Sequence, residues 1–197
     1  MSQFKSKQLL ANLKIDIIEI TEWAKQLLIA THYLNTVPQP GKWTIAQVIE
    51  HLNTYNNYYL PEIAKALQHY PTGSCHANGI FKTGLIGGYL TEMMQPDING
   101  KISNKTKAFK KHIPVAELNA ETVLQGFVTG QEQFLLLIKQ AHLYDLNKVR
   151  IKMSISNLIK LKLGDVLRVL VIHQQRHFIQ IREAQDLIIA KQKLQIC

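Results

Sequence analysis

The chain has 197 residues, 46% hydrophobic and 19% charged, which is ordinary for a soluble globular protein and enough to bury one sizeable core. No apolar run approaches the roughly 18–20 residues of a membrane span, the N-terminal MSQFKSKQLLANLK does not read as a signal peptide, and Cys75 and Cys197 alone cannot build a disulfide framework. The formal charge of +9 raises nucleic-acid binding, but the lysines are scattered and no aromatics interleave with them, so a solvated basic surface is expected, one that also suits an anionic small molecule.

Four segments carry helical periodicity. The first runs from about Gln8 to Thr31, with Leu10, Leu13, Ile17, Ile20, Ala24 and Leu27 on one stripe. Pro38, Pro40 and Gly41 end it. The second opens at Thr44, a good N-cap with Gln47 three residues on, the spacing of a capping box, flanked by Trp43 and Val48 as a hydrophobic staple. Its stripe is Ile45, Val48, Leu52, Tyr55, Tyr59 and Ile63, and Pro61 is expected to kink or interrupt it. From about 70 to 118 glycines and prolines break the pattern; only Gly88 to Gln95 suggests a short helix, and so long a loop region tends to be functional. It holds the densest lysine cluster (Lys101, Lys105, Lys107, Lys110, Lys111).

The third helix is expected from the N-cap Asn119 to about His142, on a stripe of Leu124, Phe127, Phe134, Ile138 and Ala141. Gly126 and Gly130, one turn apart inside it, suggest close packing or a cavity. Val149 to Ile155 alternates weakly and could pair locally. The last helix is expected from about Asp165 to Ala190. The elements predict an all-α four-helix bundle, a single domain over 1–197 with a long loop insertion between the second and third core helices.

The stripe of the last helix reads Val166, Leu170, His173, His177, Ile181, Ala184, Ile188. Positions i and i+4 differ by about 40° around a helix, so both imidazoles project to one side on the face that should point inward. Side by side and buried, two neutral imidazoles need partners, and a divalent metal supplies one by taking a lone pair from each. His51 stands on the core-facing edge of the second helix, beside Val48, Leu52 and Tyr55. Three neutral nitrogens leave coordination positions open to water or substrate.

The stretch Gly41-Lys-Trp-Thr-Ile-Ala-Gln-Val-Ile-Glu-His-Leu-Asn and the stretch Leu163-Gly-Asp-Val-Leu-Arg-Val-Leu-Val-Ile-His-Gln-Gln-Arg-His-Phe-Ile-Gln-Ile resemble the helix-two and helix-four signatures of the DinB-like (DinB/YfiT) superfamily of metal-binding bundles. The resemblance implies a four-helix bundle with a three-histidine metal site on His51, His173 and His177, zinc being the expected ion and nickel a further possibility. It also implies a metal-dependent enzyme that joins a low-molecular-weight thiol to an electrophilic small-molecule substrate, with a metal-dependent hydrolase or a non-catalytic, metal-stabilised stress-response module as alternatives, and a homodimer as the assembly; the two lone cysteines separately read as reduced thiols of a cytoplasmic protein. Neither nucleic acid nor membrane is an expected partner.

Four assistants stand near the ligands in sequence. Gln131 interrupts the stripe of the third helix, either facing the site or forming a satisfied buried amide. Tyr55, one turn after His51, either donates to a developing anion or packs in the core with its hydroxyl at the surface. Arg176 either clamps a carboxylate or lies exposed on the helix flank, and Gln180 is placed to support His177 from behind. Glu50 points about 100° away from His51 and is not assigned as a base. Cys75-His76 reads as an incidental loop pair, and His32, His69, His112 and His142 as residues of helix ends and loops.

Overall fold

The computed structural model describes residues 2–70, 79–97, 100–102 and 107–196. The chain is mostly helical with two small sheets. Four long helices make the core: α1 (Ser6–Leu27), α2 (Ile45–His69), α4 (Ala120–Ala141) and α5 (Leu163–Ile196), with a shorter α3 at Leu85–Met94. Strand β1 (Gln3–Lys5) pairs antiparallel with β2 (Ile80–Lys82), and β3 (Arg150–Met153) pairs antiparallel with β4 (Ser156–Lys162). Among the described residues no helix is long and apolar enough to cross a membrane.

The caps set where the helices start. Thr44 Oγ1 accepts from the Gln47 amide at 3.2 Å and Gln47 Oε1 accepts from the Thr44 amide at 3.0 Å, closing the capping box of α2. Asn119 Oδ1 accepts from the Thr122 amide at 2.9 Å and opens α4. Of the two outcomes expected for Pro61, interruption does not occur: α2 runs through it unbroken. It lies on the exposed face with Asn57, so water can serve the carbonyl that the missing N–H leaves free.

Buried apolar residues form two clusters. One joins Leu10 and Ile17 of α1, Ile63 and Leu67 of α2, Phe134 and Ile138 of α4, and Leu167 and Leu170 of α5. The other joins Ala24, Ile49, Phe127 and Ile181, one from each long helix. The first cluster takes the N-terminal halves of α1 and α5 with the C-terminal halves of α2 and α4, and the second takes the opposite halves. Hence α1 and α5 run one way, and α2 and α4 the other.

That polarity explains the long middle segment. Because α2 and α4 are parallel, the chain leaving α2 must travel back along the core before α4 can begin. A helix of 22 residues, the length of α4, spans about 33 Å, so the return takes many residues. The segment is not only loop: it carries β2, α3 and a 3₁₀ turn at Lys110–His112. Helix α3 packs on α5, with the backbone amide of its N-cap residue, Gly84, donating to Asp165 Oδ2 at 2.9 Å. The expected strand-like pairing near Val149 extends into a full hairpin, with Ile151 and Leu161 turned inward and the flanking lysines outward.

Candidate metal centre

Between the two apolar clusters the core turns polar. His51 and Asn56 come from α2, Gln131 from α4, and His173 and Gln174 from α5; all are buried. Each lies on its helix between residues of the first cluster and residues of the second, so the polar layer crosses the middle of the core.

The three predicted histidines meet there. Their candidate ligand atoms lie within 4.8 Å of one another. His51 Nε2 stands 3.3 Å from His173 Nε2, and His177 Nε2 stands 3.1 Å from the same atom. Two imidazole nitrogens bound to one zinc-like ion at about 2.05 Å are about 2.9 Å apart at a right angle and about 3.3 Å apart at the tetrahedral angle. The two spacings to His173 fall in that interval, and the third pair lies within 4.8 Å.

The outer nitrogens fix which lone pairs face inward. His51 Nδ1–H donates to the His112 carbonyl at 2.6 Å. His177 Nδ1 lies 3.0 Å from Gln180 Oε1 and donates to it. With their protons on Nδ1, both Nε2 atoms present bare lone pairs toward His173 Nε2. A single N–H on His173 could serve only one of them. The layer therefore calls for a shared cation, and a proton does not suit it near neutral pH. Burial holds His51 below the usual imidazole range, drives His173 well below it, and pushes His177 down to about 3, with the neighbouring imidazoles adding to the effect on His173 and His177. A donor set of three neutral nitrogens, two with fixed tautomers, fits a divalent metal.

The model of the DinB superfamily matches residues 26–181. The chain belongs to the DinB superfamily. Metal binding is a known property of that superfamily, and this member carries a three-histidine group able to hold a divalent ion. Searches of characterised proteins and of solved structures match none to this chain.

In this DinB-superfamily chain the other predicted residues fall at different distances from the three rings. Tyr55 is half-buried, its ring centroid 5.2 Å from that of His51 and 4.5 Å from that of His173. Burial pushes its hydroxyl up to about 12, so it stays protonated and available as a donor. Gln180 stands behind His177. Gln131 is instead the satisfied amide: its Nε2 donates to Gln174 Oε1 at 2.9 Å, and Gln174 Nε2 donates to Asn56 Oδ1 at 3.1 Å. Arg176 is not an exposed flank residue, since only 9% of its surface is accessible. Its Nη1 donates to the Met94 carbonyl at 3.5 Å, the C-terminal end of α3, where a cation also suits the helix dipole. Cys75, His76 and Cys197 lie outside the described residues. Glu50 accepts from Asn53 Nδ2 at 3.2 Å, and among the described residues no carboxylate joins the histidine group.

One residue of the site escaped the sequence reading. His112, taken for a loop histidine, is 1% exposed. Its imidazole bridges Thr54 Oγ1 through Nδ1 and Ser154 Oγ through Nε2, each at 2.9 Å, and stacks on Tyr55 with centroids 3.8 Å apart. Burial, reinforced by His51 and Lys111, pushes it down to about 4. The neutral ring pins the returning chain to α2 and to the hairpin, which holds the His112 carbonyl against His51. Nothing local in Lys110-Lys-His-Ile-Pro marks this role, because the bond is made by a main-chain carbonyl.

Proposed function

We propose that the chain binds one divalent metal, zinc or nickel, through Nε2 of His51, His173 and His177, and is a thiol-dependent S-transferase within a four-helix bundle. The observation that carries this reading is the convergence of three Nε2 atoms with the outer nitrogens of two of them already engaged. A cation held there lowers the pKa of a thiol or water that reaches it. The chain's own part is to hold three imidazoles neutral, orient two of them through the His112 carbonyl and Gln180, and keep the ring of the protonated Tyr55 packed against that of His173. The reaction class is attack of a thiolate sulfur on an electrophilic carbon, with an S–C bond formed and a leaving group, or the electron pair of an activated double bond, displaced. That Tyr55 proton is placed to meet the anion so created. The transferase is favoured over a hydrolase because, among the described residues, no carboxylate joins the three histidines as a general base for water. The net charge of +9 suits an acidic low-molecular-weight thiol. A homodimer belongs to the same reading, and light scattering of the metal-loaded protein tests it.

The first experiment is elemental analysis of the purified chain beside His51→Ala and His173→Ala, each reconstituted with zinc or nickel. About one ion per chain, lost in both variants, is expected; no ion in the parent protein after reconstitution would overturn the site. The second is formation of S-conjugates from cysteine or glutathione with 1-chloro-2,4-dinitrobenzene. Metal-dependent conjugation supports the transferase, whereas a metal-loaded protein that conjugates neither thiol is a binding module.

A further inference from the structure

Beside the histidine layer lies a cleft whose empty space, counting the part open to solvent, is about 490 Å³. His173 and Tyr55 form one end of it. Val166 and Leu170 of α5 form its floor, and the elements added to the four long helices close it with Leu90 and Met94 of α3 and Met153 and Leu161 of the hairpin. The lining holds no charged side chain. Its other polar groups are already engaged: Ser154 Oγ lies 2.9 Å from His112 Nε2, and the Tyr59 hydroxyl accepts from the Ser154 amide at 3.1 Å. A cationic group entering there would lose its water, gain no counterion and face the metal that the proposed site would hold.

We propose that this cleft takes an uncharged apolar group of the electrophilic substrate, a short alkyl chain or a single aromatic ring, and seats it against His173 and Tyr55. The inference rests on the reading of the three histidines as a reactive metal centre and names the substrate class for it. Helix α3 and the hairpin are then the elements that set specificity. Leu90 selects for size, since it is half-buried and projects from the surface helix into the cleft. Arg176 holds the C-terminal end of α3 through the Met94 carbonyl and so fixes the width between α3 and α5.

The test uses the whole zinc-loaded chain and plain alcohols as probes. Titration of n-butanol, n-pentanol and n-hexanol, followed by saturation-transfer NMR, should show affinity rising about threefold to fourfold with each methylene. Hexylammonium, with the same tail and a positive charge, should bind at least tenfold more weakly than hexanol. Leu90→Trp should abolish hexanol binding with zinc content unchanged, and Leu90→Ala, a milder change on the same helix, should admit longer alcohols than the parent. Replacing zinc by cobalt(II) should broaden the hexanol signals through its unpaired electrons. Absence of hexanol binding, hexylammonium binding as tightly, or the same binding in Leu90→Trp would overturn the proposal. Cobalt that leaves the bound alcohol's signals unchanged would also overturn it. The underlying metal reading fails separately: His177→Ala should lose zinc and keep hexanol, so alcohol binding in a parent chain that takes up no metal would condemn that reading alone.

Discussion

A buried imidazole is defined by what its outer nitrogen touches, and here those contacts are the His112 carbonyl for His51 and Gln180 for His177. Loss of such partners usually costs about 10–100-fold in metal affinity. His112→Ala removes the ring that anchors the carbonyl, and Gln180→Leu removes the acceptor itself, so each should weaken zinc binding in that range in a chelator-competition titration. Unchanged affinity in both would mean that the tautomers are set some other way. Protonation gives an independent prediction for the metal-free chain. Burial lowers His51, His173, His112 and His177 in the folded state, the last two to about 4 and about 3. Between those values and the ordinary range near 6.5 the unfolded chain binds protons that the folded chain does not, so stability is complete above about pH 6.5 and falls as the pH drops. The loss approaches about 1.4 kcal/mol per pH unit for each such histidine. Thermal midpoints should therefore decline steeply from pH 7 to pH 5, and less steeply in His177→Phe; a flat profile would contradict the buried neutral layer.

At the level of elements, the contacts between added pieces and long helices are tight. A Cβ on Gly87 would stand 2.3 Å from Asp165 Cγ, so α3 can lie on α5 only while that position has no side chain. Gly87→Ala should gain up to about 1 kcal/mol in helix propensity yet lose about 1–3 kcal/mol to overpacking. A net loss in chemical denaturation, with a weakened cleft, is expected; an unchanged or raised midpoint would show that α3 does not need this close approach. Gly130 has a similar part between α2 and α4, where a Cβ would stand 3.2 Å from Asn56 Nδ2. Of the two glycines that the third helix carries one turn apart, Gly130 therefore marks close packing, whereas a Cβ on Gly126 would make an ordinary contact with Asn53 at 3.8 Å.

Across the whole molecule, the three histidines belong to α2 and α5, helices of opposite direction, and a bound ion would link them through the centre of the core. Binding to the folded state alone stabilises by about 2.7 kcal/mol at a hundred times the dissociation constant. For a chain of this length each kcal/mol raises the midpoint by about 2–4 °C. Zinc should thus raise the melting midpoint by about 5–10 °C relative to the chelator-treated protein, with no rise in His173→Ala. A parent protein whose midpoint zinc leaves in place would count against the shared site.

The helices were legible because their information is local: an apolar residue every three or four positions, Thr44 with Gln47, and Asn119 before its stripe are all written within one or two turns. The i, i+4 pair His173 and His177 was legible for the same reason. The hairpin was half visible, since Lys152, Lys160 and Lys162 alternate with inward Ile151 and Leu161, but the irregular register at Met153 and the 95% exposed Leu158 blur the period. Sequence alone thus determined the helical class, the family resemblance and which histidines share a face. Tertiary structure decided the rest: that α2 and α4 run parallel, that the connection between them must therefore return along the core, and that this return carries the His112 carbonyl to His51 and α3 to the edge of the cleft. Helix direction and main-chain acceptors leave no mark in residue spacing, because they are set by packing between segments far apart in the chain.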